Sequence, residues 1–177
     1  EPTTLDHYLP KEEFPEFSVL SKNLIPICGV CNSNYKGRNW IENGNRLFLH
    51  TYYDQFPDEY LFEASVTVTN KVIIDFSTIY VATEPYFCNV FHHHFDKLRL
   101  NKRYKKKAST EINRKRRSLE LIYRRNNSAN DVSNSLREEA NGLEIDYSKN
   151  HWKTVLYRAL SNSVSFCDTG FRKQVIA

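Results

Sequence analysis

The chain has 177 residues and a formal net charge of +4, with 40% apolar and 14% aromatic residues. This length is typical of one domain, and the apolar content is sufficient for a buried core. No apolar run approaches the ~18 residues that cross a bilayer, and no signal peptide opens the chain, so we expect no membrane association and a cytoplasmic location. The sequence contains no Met, even at its first position, and we expect it to be a piece of a longer polypeptide.

The first forty residues predict two short strands followed by a helix. Residues 3–9 have a strand-like pattern, residues 11–21 are typical of a loop, and residues 23–27 form a second strand-like stretch. A helix is predicted from residue 31 to about residue 40. This ββα unit is too small to bury much surface alone, so the remaining chain must pack against it.

An ordered series of polar residues lies on these elements: Asp6 and His7, then Asn23, then the Cys28-x-x-Cys31 pair followed directly by Asn32. An isolated Asp-His dipeptide is usually an exposed turn, and an isolated Cys-x-x-Cys pair is a weak signal. The complete ordered set is more specific. It resembles the HNH (ββα-metal) nuclease motif, in the variant that has Asn in place of the last His.

The resemblance implies a role for each polar residue. His7 is the general base, because imidazole titrates near neutral pH. Asp6 and Asn32 bind a catalytic Mg²⁺ or Mn²⁺, since hard cations prefer oxygen ligands. Asn23 ties the loop between the two strands.

Lys36 is a further expected site residue. It lies four residues after Asn32, so both would face the same side of a helix, and its ammonium group would meet a phosphate. The family more often has this Lys three residues after the Asn, so the spacing of Lys36 departs from the family pattern. Asn34 is kept as a reserve candidate.

Cys28 and Cys31 have the spacing of half a tetrahedral zinc site. In HNH relatives of this type, the second Cys pair lies just upstream of the Asp-His strand, which here would fall before Glu1. We therefore expect Cys28 and Cys31 to bind a structural Zn²⁺ together with an upstream pair absent from this chain. Cys88 and Cys167 fit neither pair and are predicted to be buried apolar residues.

Residues 48–54 resemble the Phe-x-His-Pro-Tyr-x-Asp segment that follows the motif in some HNH proteins of bacterial defence systems, with Thr51 where Pro is usual. Within this segment, His50 either lines the site or packs structurally, and we favour packing. The β-branched stretches 64–69 and 72–76, separated by Asn70 and Lys71, predict a hairpin.

The second half of the chain is predicted to be helical. From Pro85, apolar residues recur every three or four positions, which indicates an amphipathic helix. Its three consecutive histidines, 92–94, point in different directions, so we favour structural roles, with His94 on the core face. Residues 126–134 are predicted to be a loop, residues 132–140 a short helix that ends near Gly142, and residues 147–161 a packed terminal helix.

The helix that begins at Pro85 is predicted to continue and to become strongly basic. Thirteen Lys and Arg residues lie between Lys97 and Arg125, against only Glu111 and Glu120. This asymmetry is the electrostatic pattern of a polyanion-binding face, although a solvated helix or a face for an acidic partner would share it. The residues expected to bind nucleic acid are Lys102, Arg103, Lys105, Lys106, Lys107, Arg114, Lys115, Arg116 and Arg117.

The sequence therefore predicts an α+β fold, with an HNH ββα-metal core at residues 1–50 and an accessory hairpin and basic helical region at residues 51–177. The expected function is a metal-dependent endonuclease acting on DNA, with RNA or tRNA as alternatives. A weaker similarity over most of the chain extends to the HNH subunit of Septu-type and retron-associated antiphage systems, which implies a bacterial cytoplasmic effector and a separate ABC/SMC-type ATPase partner. The alternative function is a non-catalytic, zinc-containing module that binds nucleic acid or protein.

Overall fold

The computed structural model describes residues 2–176 and has a mixed α+β architecture. The chain forms two compact units. One combines Glu1–Glu59 with Tyr80–Leu100, and the other combines Tyr60–Ile79 with Asn101–Ala177. The first unit thus extends beyond the 1–50 core expected from the sequence, because a helix distant in sequence packs with it.

The first unit opens with an antiparallel pair, β1 (Thr4–His7) and β2 (Leu24–Ile27). A π-helical segment, Cys31–Lys36, follows and is called the motif helix below. The predicted end near residue 40 is wrong. Gly37 adopts a positive φ of 52° and donates its N–H to the Asn32 carbonyl at 2.8 Å, which closes the helix at Lys36.

A second small hairpin, which the sequence did not predict, lies just beyond the positions expected to be helical. Strands β3 (Ile41–Glu42) and β4 (Asn45–Arg46) pair across a turn in which Asn43 and Gly44 have φ values of 52° and 79°. Positive φ at both turn residues is the conformation that Asn-Gly favours in tight hairpins.

Helix α1 (Pro85–Lys97) completes the first unit. The unit has its own core, to which the residues just after β1, strand β2, the motif helix, the segment after β4 and the end of α1 all contribute. The buried members of this core are Tyr8, Ile25, Cys31, Leu47, Phe48 and Leu98. The Tyr8 hydroxyl donates a hydrogen bond of 2.7 Å to the Phe48 carbonyl.

The second unit contains the predicted hairpin, which is confirmed. Strands β5 (Phe62–Val68) and β6 (Val72–Thr78) are antiparallel, and β7 (Val175–Ile176) adds to β6 in parallel. Helices α2 (Leu100–Asn126), α3 (Ala129–Asp146), α4 (Trp152–Asn162) and the short α5 (Val164–Cys167) follow one another along the chain. The continuous helix predicted from Pro85 through the basic stretch is wrong, because Arg99 adopts a positive φ of 52° between α1 and α2. The buried side chains of α2, α3 and α4 include Ile112, Leu119, Leu136, Leu156 and Leu160.

The loop predicted at residues 126–134 is wrong, and so is the short helix predicted after it. Helix α3 begins at Ala129, because the Ser128 hydroxyl accepts a hydrogen bond from the Asp131 N–H at 3.1 Å and caps the helix. The buried residues Val132, Leu136 and Ala140 then hold the helix at four-residue spacing. Among the described residues, every helix is too short or too polar to cross a membrane.

Candidate active site

The β1–β2 hairpin presents Asp6 and His7 as neighbours on alternate faces of the strand. Asp6 lies opposite Ile25 and His7 lies opposite Leu24. Asp6 is buried, and its carboxylate meets the motif helix, whereas the half-buried His7 ring meets the segment between the two strands. One short strand therefore delivers an acid and an imidazole to two different surroundings.

The carboxylate of Asp6 forms a buried ion pair with Lys36. The Lys36 ammonium lies 2.8 Å from Asp6 Oδ2 and donates a second bond of 2.9 Å to the His7 carbonyl. Both side chains are buried. The ammonium predicted to meet a phosphate is therefore directed at Asp6 and the backbone of β1.

Asn32 lies one turn before Lys36 on the motif helix, and its side chain also reaches β1. The Asn32 amide nitrogen is 3.4 Å from the Thr4 hydroxyl. Thr4 and Asp6 are two residues apart and share a face of the strand. The motif helix thus follows β1, with Asn32 beside Thr4 and Lys36 beside Asp6.

His7 is oriented by a backbone carbonyl. Its Nε2 lies 3.0 Å from the Ser18 carbonyl oxygen. A carbonyl can only accept, so Nε2 carries the proton that it donates, and in the neutral ring Nδ1 then holds the lone pair. This assigns Nδ1 as the nitrogen with which His7 would take a proton.

Asn23 fastens the segment between the strands to the end of β1. Its Oδ1 accepts a bond of 2.8 Å from the Leu9 N–H, and its Nδ2 donates to the Leu9 and Phe17 carbonyls at 3.1 Å and 3.2 Å. The side chain is buried. Because Phe17 precedes Ser18, these bonds also hold the carbonyl that orients His7.

The oxygen ligands suited to a hard divalent cation are few at this site. Asp6 offers a carboxylate whose Oδ2 accepts no hydrogen bond of regular geometry, and Asn32 offers an amide carbonyl. Within residues 2–176, no cluster of three or more His, Cys, Asp or Glu side chains could hold a metal. The donor set fits Mg²⁺ or Mn²⁺, which keep several water ligands when bound by one or two protein groups. Such an ion would share Asp6 with the Lys36 ammonium.

Cys28 and Cys31 lie side by side where β2 leads into the motif helix. The Cys31 N–H points to the Cys28 sulfur at 3.4 Å. Cys31 is buried in the core of the first unit, and Cys28 packs against that core. A backbone donor stabilises negative charge on sulfur, which suits the thiolate form that zinc requires.

The two other cysteines are buried, as predicted. The Cys88 sulfur lies 3.2 Å from the Val81 N–H. The Cys167 thiol donates to the Leu160 carbonyl at 3.4 Å, and burial raises the pKa of this thiol to about 11.

His50 has packing contacts in the first unit, in line with the favoured interpretation. Its ring lies 4.5 Å from the Tyr8 ring and 4.6 Å from the Tyr53 ring, measured between centroids. Its Nδ1 accepts from the Tyr52 N–H at 3.3 Å. Burial lowers the pKa of His50, so the ring is neutral at pH 7.

The nine basic residues expected to bind nucleic acid all lie on α2, but they have two kinds of surroundings. Lys105 pairs with Asp75 at 2.7 Å and Lys115 pairs with Glu139 at 2.9 Å. Arg116 donates to the Phe171 and Lys173 carbonyls at 3.1 Å and 2.9 Å, and to the Asn113 side chain at 2.9 Å. These three cations hold the second unit together. The exposed members of the set are Lys102, Lys106, Lys107, Arg114 and Arg117, and the remaining member, Arg103, is half-buried.

Sequence reasoning missed two residues that contact the site. Thr4 has a usable signal, because strand alternation places it on the face of Asp6. Ser18 has none, since it acts through its backbone carbonyl, a group that every residue carries. Lys36 was selected, but its buried contact with Asp6 was not anticipated.

Comparisons with known proteins give little further guidance. No family model matches the chain, and no solved structure matches it significantly. The chain is similar to a protein of Escherichia phage lambda named Protein ea31, with 28% identity over 173 residues. The match covers 92% of this chain and 58% of the phage protein, so the chain spans little more than half of that relative's length.

Proposed function

We propose that the chain is a metal-dependent HNH endonuclease that hydrolyses phosphodiester bonds in nucleic acid. The observation that carries the proposal is the arrangement around β1. The Ser18 carbonyl orients the His7 ring. The preceding residue, Asp6, faces the motif helix, which also carries Asn32. The resemblance implies the same order of elements, two strands followed by a helix, and this agreement supports the proposal.

The residues divide the chemistry among them. His7 Nδ1 accepts the proton of the attacking water, and the Ser18 carbonyl keeps the ring in the required tautomer. Asn23 holds that carbonyl in place through its bond to Phe17. Asp6 and Asn32 would hold a Mg²⁺ or Mn²⁺, which supplies positive charge to the phosphoryl and leaving oxygens.

The structural Zn²⁺ belongs to the same proposal. Cys28 and Cys31 would supply two thiolates, and the upstream cysteines implied by the resemblance would supply the others. Zinc content, measured on the full-length protein, should fall when Cys28 and Cys31 are both replaced by Ser. Unchanged zinc content would contradict this assignment.

The wider biological role rests on the resemblance alone. By that analogy, the nuclease acts as an effector of a bacterial antiphage system, with DNA as the favoured substrate and an ABC/SMC-type ATPase supplied by a separate chain. The similar phage protein carries a name that states no activity, and it neither strengthens nor weakens this part of the proposal.

One observation favours the second candidate, a non-catalytic zinc-containing binding module. The Lys36 ammonium already neutralises Asp6 from 2.8 Å, so the carboxylate needs no metal to be stable in the fold. A module of this kind would keep the β1–motif helix arrangement as architecture and use the basic α2 for binding.

A cleavage assay separates the two candidates. The full-length protein is incubated with supercoiled plasmid, single-stranded DNA or total tRNA, with and without Mg²⁺ or Mn²⁺, beside the variant His7→Ala. The nuclease predicts metal-dependent cutting that disappears in His7→Ala, and the substrate that is cut identifies its class. Binding without cutting, with and without a co-purified ATPase, would favour the module.

A further inference from the structure

A groove in the second unit lies between helix α2 and the start of α4. Its volume is about 470 Å³, which falls within the roughly 300–1,000 Å³ typical of ligand sites. Five of its eight lining side chains are cationic, one is a carboxylate and one is an indole. The lining residues are Arg103, Lys106, Lys107, Thr110, Glu111, Arg114, Trp152 and Lys153.

The spacing of the α2 residues explains why they share one wall. Arg103, Lys107, Thr110 and Arg114 recur at three- or four-residue intervals, which aligns them along one face of the helix. Lys106 flanks this row. Helix α4 contributes the opposite wall through Trp152 and Lys153, its first two residues.

The single carboxylate of the groove does not cancel its positive charge. Glu111 is buried and accepts a bond of 2.9 Å from the Tyr157 hydroxyl. The Lys153 ammonium lies 3.1 Å away and the Arg114 guanidinium 3.8 Å away. Burial opposes ionisation of Glu111, but these donors outweigh it and keep its pKa below the usual value. Glu111 therefore positions Lys153 and Arg114, while Lys106 and Lys107 are exposed to solvent.

Trp152 gives the groove an aromatic surface among these cations. The indole is half-buried, and the Lys107 ammonium lies 5.3 Å from its centroid. The Tyr104 ring lies 6.3 Å away at an interplanar angle of 17°. A cation–π contact of an exposed lysine is weak, so the ammonium can move to a phosphate and leave the indole face to another ring.

We infer that this groove binds a single strand of nucleic acid, with phosphates on Arg103, Lys106 and Lys107 and an unstacked base on Trp152. Cations beside an aromatic platform are the combination that single-strand binding requires. A duplex offers the same phosphates but keeps its bases stacked inside, so it cannot use the indole. The inference concerns binding in the second unit and does not depend on cleavage by the first.

Fluorescence of Trp152 tests the inference directly. The chain has two Trp residues, so Trp40→Phe leaves Trp152 as the only one, and His7→Ala in the same protein prevents cleavage of the probe. The probes are a short oligothymidylate, the same strand annealed to its oligoadenylate complement, and inorganic triphosphate. We expect the single strand to quench Trp152 and to bind about tenfold more tightly than the duplex, as one stacked base would provide.

Charge-matched variants locate the binding site. Anisotropy of labelled oligothymidylate should show that Lys106→Gln with Lys107→Gln raises Kd about tenfold and makes the slope of log K against log salt less steep by about 1.4. Lys71→Gln with Arg125→Gln removes equal charge from exposed positions of the second unit outside the groove, and should raise Kd no more than about threefold.

The indole is tested by two substitutions at the same position. Trp152→Leu should raise Kd about tenfold, while Trp152→Phe should retain most of the affinity, because it keeps a ring on which a base can stack. Circular dichroism spectra that match the parent protein establish that each variant is folded. If a variant fails this check, its binding data are set aside, and the Trp152 fluorescence titration described above decides the question.

Several results would overturn the inference. Saturating oligothymidylate that leaves Trp152 fluorescence unchanged would place the strand elsewhere. Equal losses in the two charge-matched variants would indicate diffuse attraction to the whole second unit. Equal affinity for single strand and duplex would show that the groove recognises phosphate alone. Full competition by triphosphate, at the same concentration of phosphate groups, would show the same.

Discussion

Replacing Lys36 by Met should destabilise the first unit by about 3–5 kcal/mol, the usual cost of removing one partner from a buried ion pair. The Lys36 and Asp6 side chains are only 4% and 8% exposed, so solvent cannot replace the lost ammonium. Met has a similar length and shape, which keeps the packing loss small. Most of the loss in free energy of unfolding therefore comes from the unpaired Asp6 carboxylate and the lost bond to the His7 carbonyl.

Urea unfolding measures this loss in the unit concerned. Trp40 lies in the first unit and Trp152 in the second, so a Trp152→Phe background lets fluorescence report the first unit alone. Lys11→Met is the matched control, since Lys11 is an exposed lysine of the same unit and should change stability by no more than about 0.5 kcal/mol. Equal stability of the Lys36→Met and Lys11→Met proteins would refute the reasoning.

The same variant tests the metal assignment of Asp6. With the ammonium removed, a divalent cation meets a carboxylate that has no competing partner. Mn²⁺ at ten times its dissociation constant should then restore about 1.4 kcal/mol, and adding Asp6→Asn should abolish the response. A Lys36→Met protein that gains no stability from Mn²⁺ would count against Asp6 as a metal ligand.

Two further predictions concern packing in each unit. Burial lowers the pKa of His94 from 6.5 to about 4. At pH values between these two pKa values, His94 is protonated in the unfolded chain but neutral in the folded protein. The free energy of unfolding should therefore fall by about 2 kcal/mol from pH 7 to pH 5. His94→Gln can still accept a hydrogen bond from the Leu49 N–H and should remove this part of the pH dependence in urea titrations. If the variant loses as much stability between pH 7 and pH 5 as the wild-type protein does, the prediction is contradicted. A methyl group on Gly170 would overlap the Ser165 carbonyl, so Gly170→Ala should cost about 1–3 kcal/mol in thermal unfolding. Gly142→Ala, in open space within α3, should instead stabilise by about 0.4–1 kcal/mol, and similar effects at both positions would refute the steric argument.

Much of the fold could be predicted because local patterns coincide with the elements. Alternating β-branched residues gave the β5–β6 hairpin, and three- and four-residue apolar spacing gave α1 and α4. The failures have local causes as well. The polar residues around Ser128 indicated a loop, but they form the exposed surface and the cap of α3, whose buried side is only the narrow row Val132, Leu136 and Ala140.

Long-range organisation was less accessible. The assignment of residues 80–100 to the first unit depends on packing between segments far apart in sequence, which no local period encodes. At the site, the neighbouring Asp6 and His7 could be selected from their order along the chain. The Ser18 carbonyl that orients His7 and the ion pair of Lys36 could not, because both require the folded geometry.

The measurement that tests the central claim most directly is the initial rate of cleavage by His7→Ala, on whichever substrate the wild-type protein cuts. His93→Ala is the matched control, a histidine on α1 of the same unit. A general base contributes about 10²–10⁴-fold, so the His7→Ala rate should fall by at least about a hundredfold, with substrate affinity and the His93→Ala rate unchanged. Cleavage by His7→Ala at the wild-type rate would contradict the assignment of His7 as the base and, with it, the proposed site.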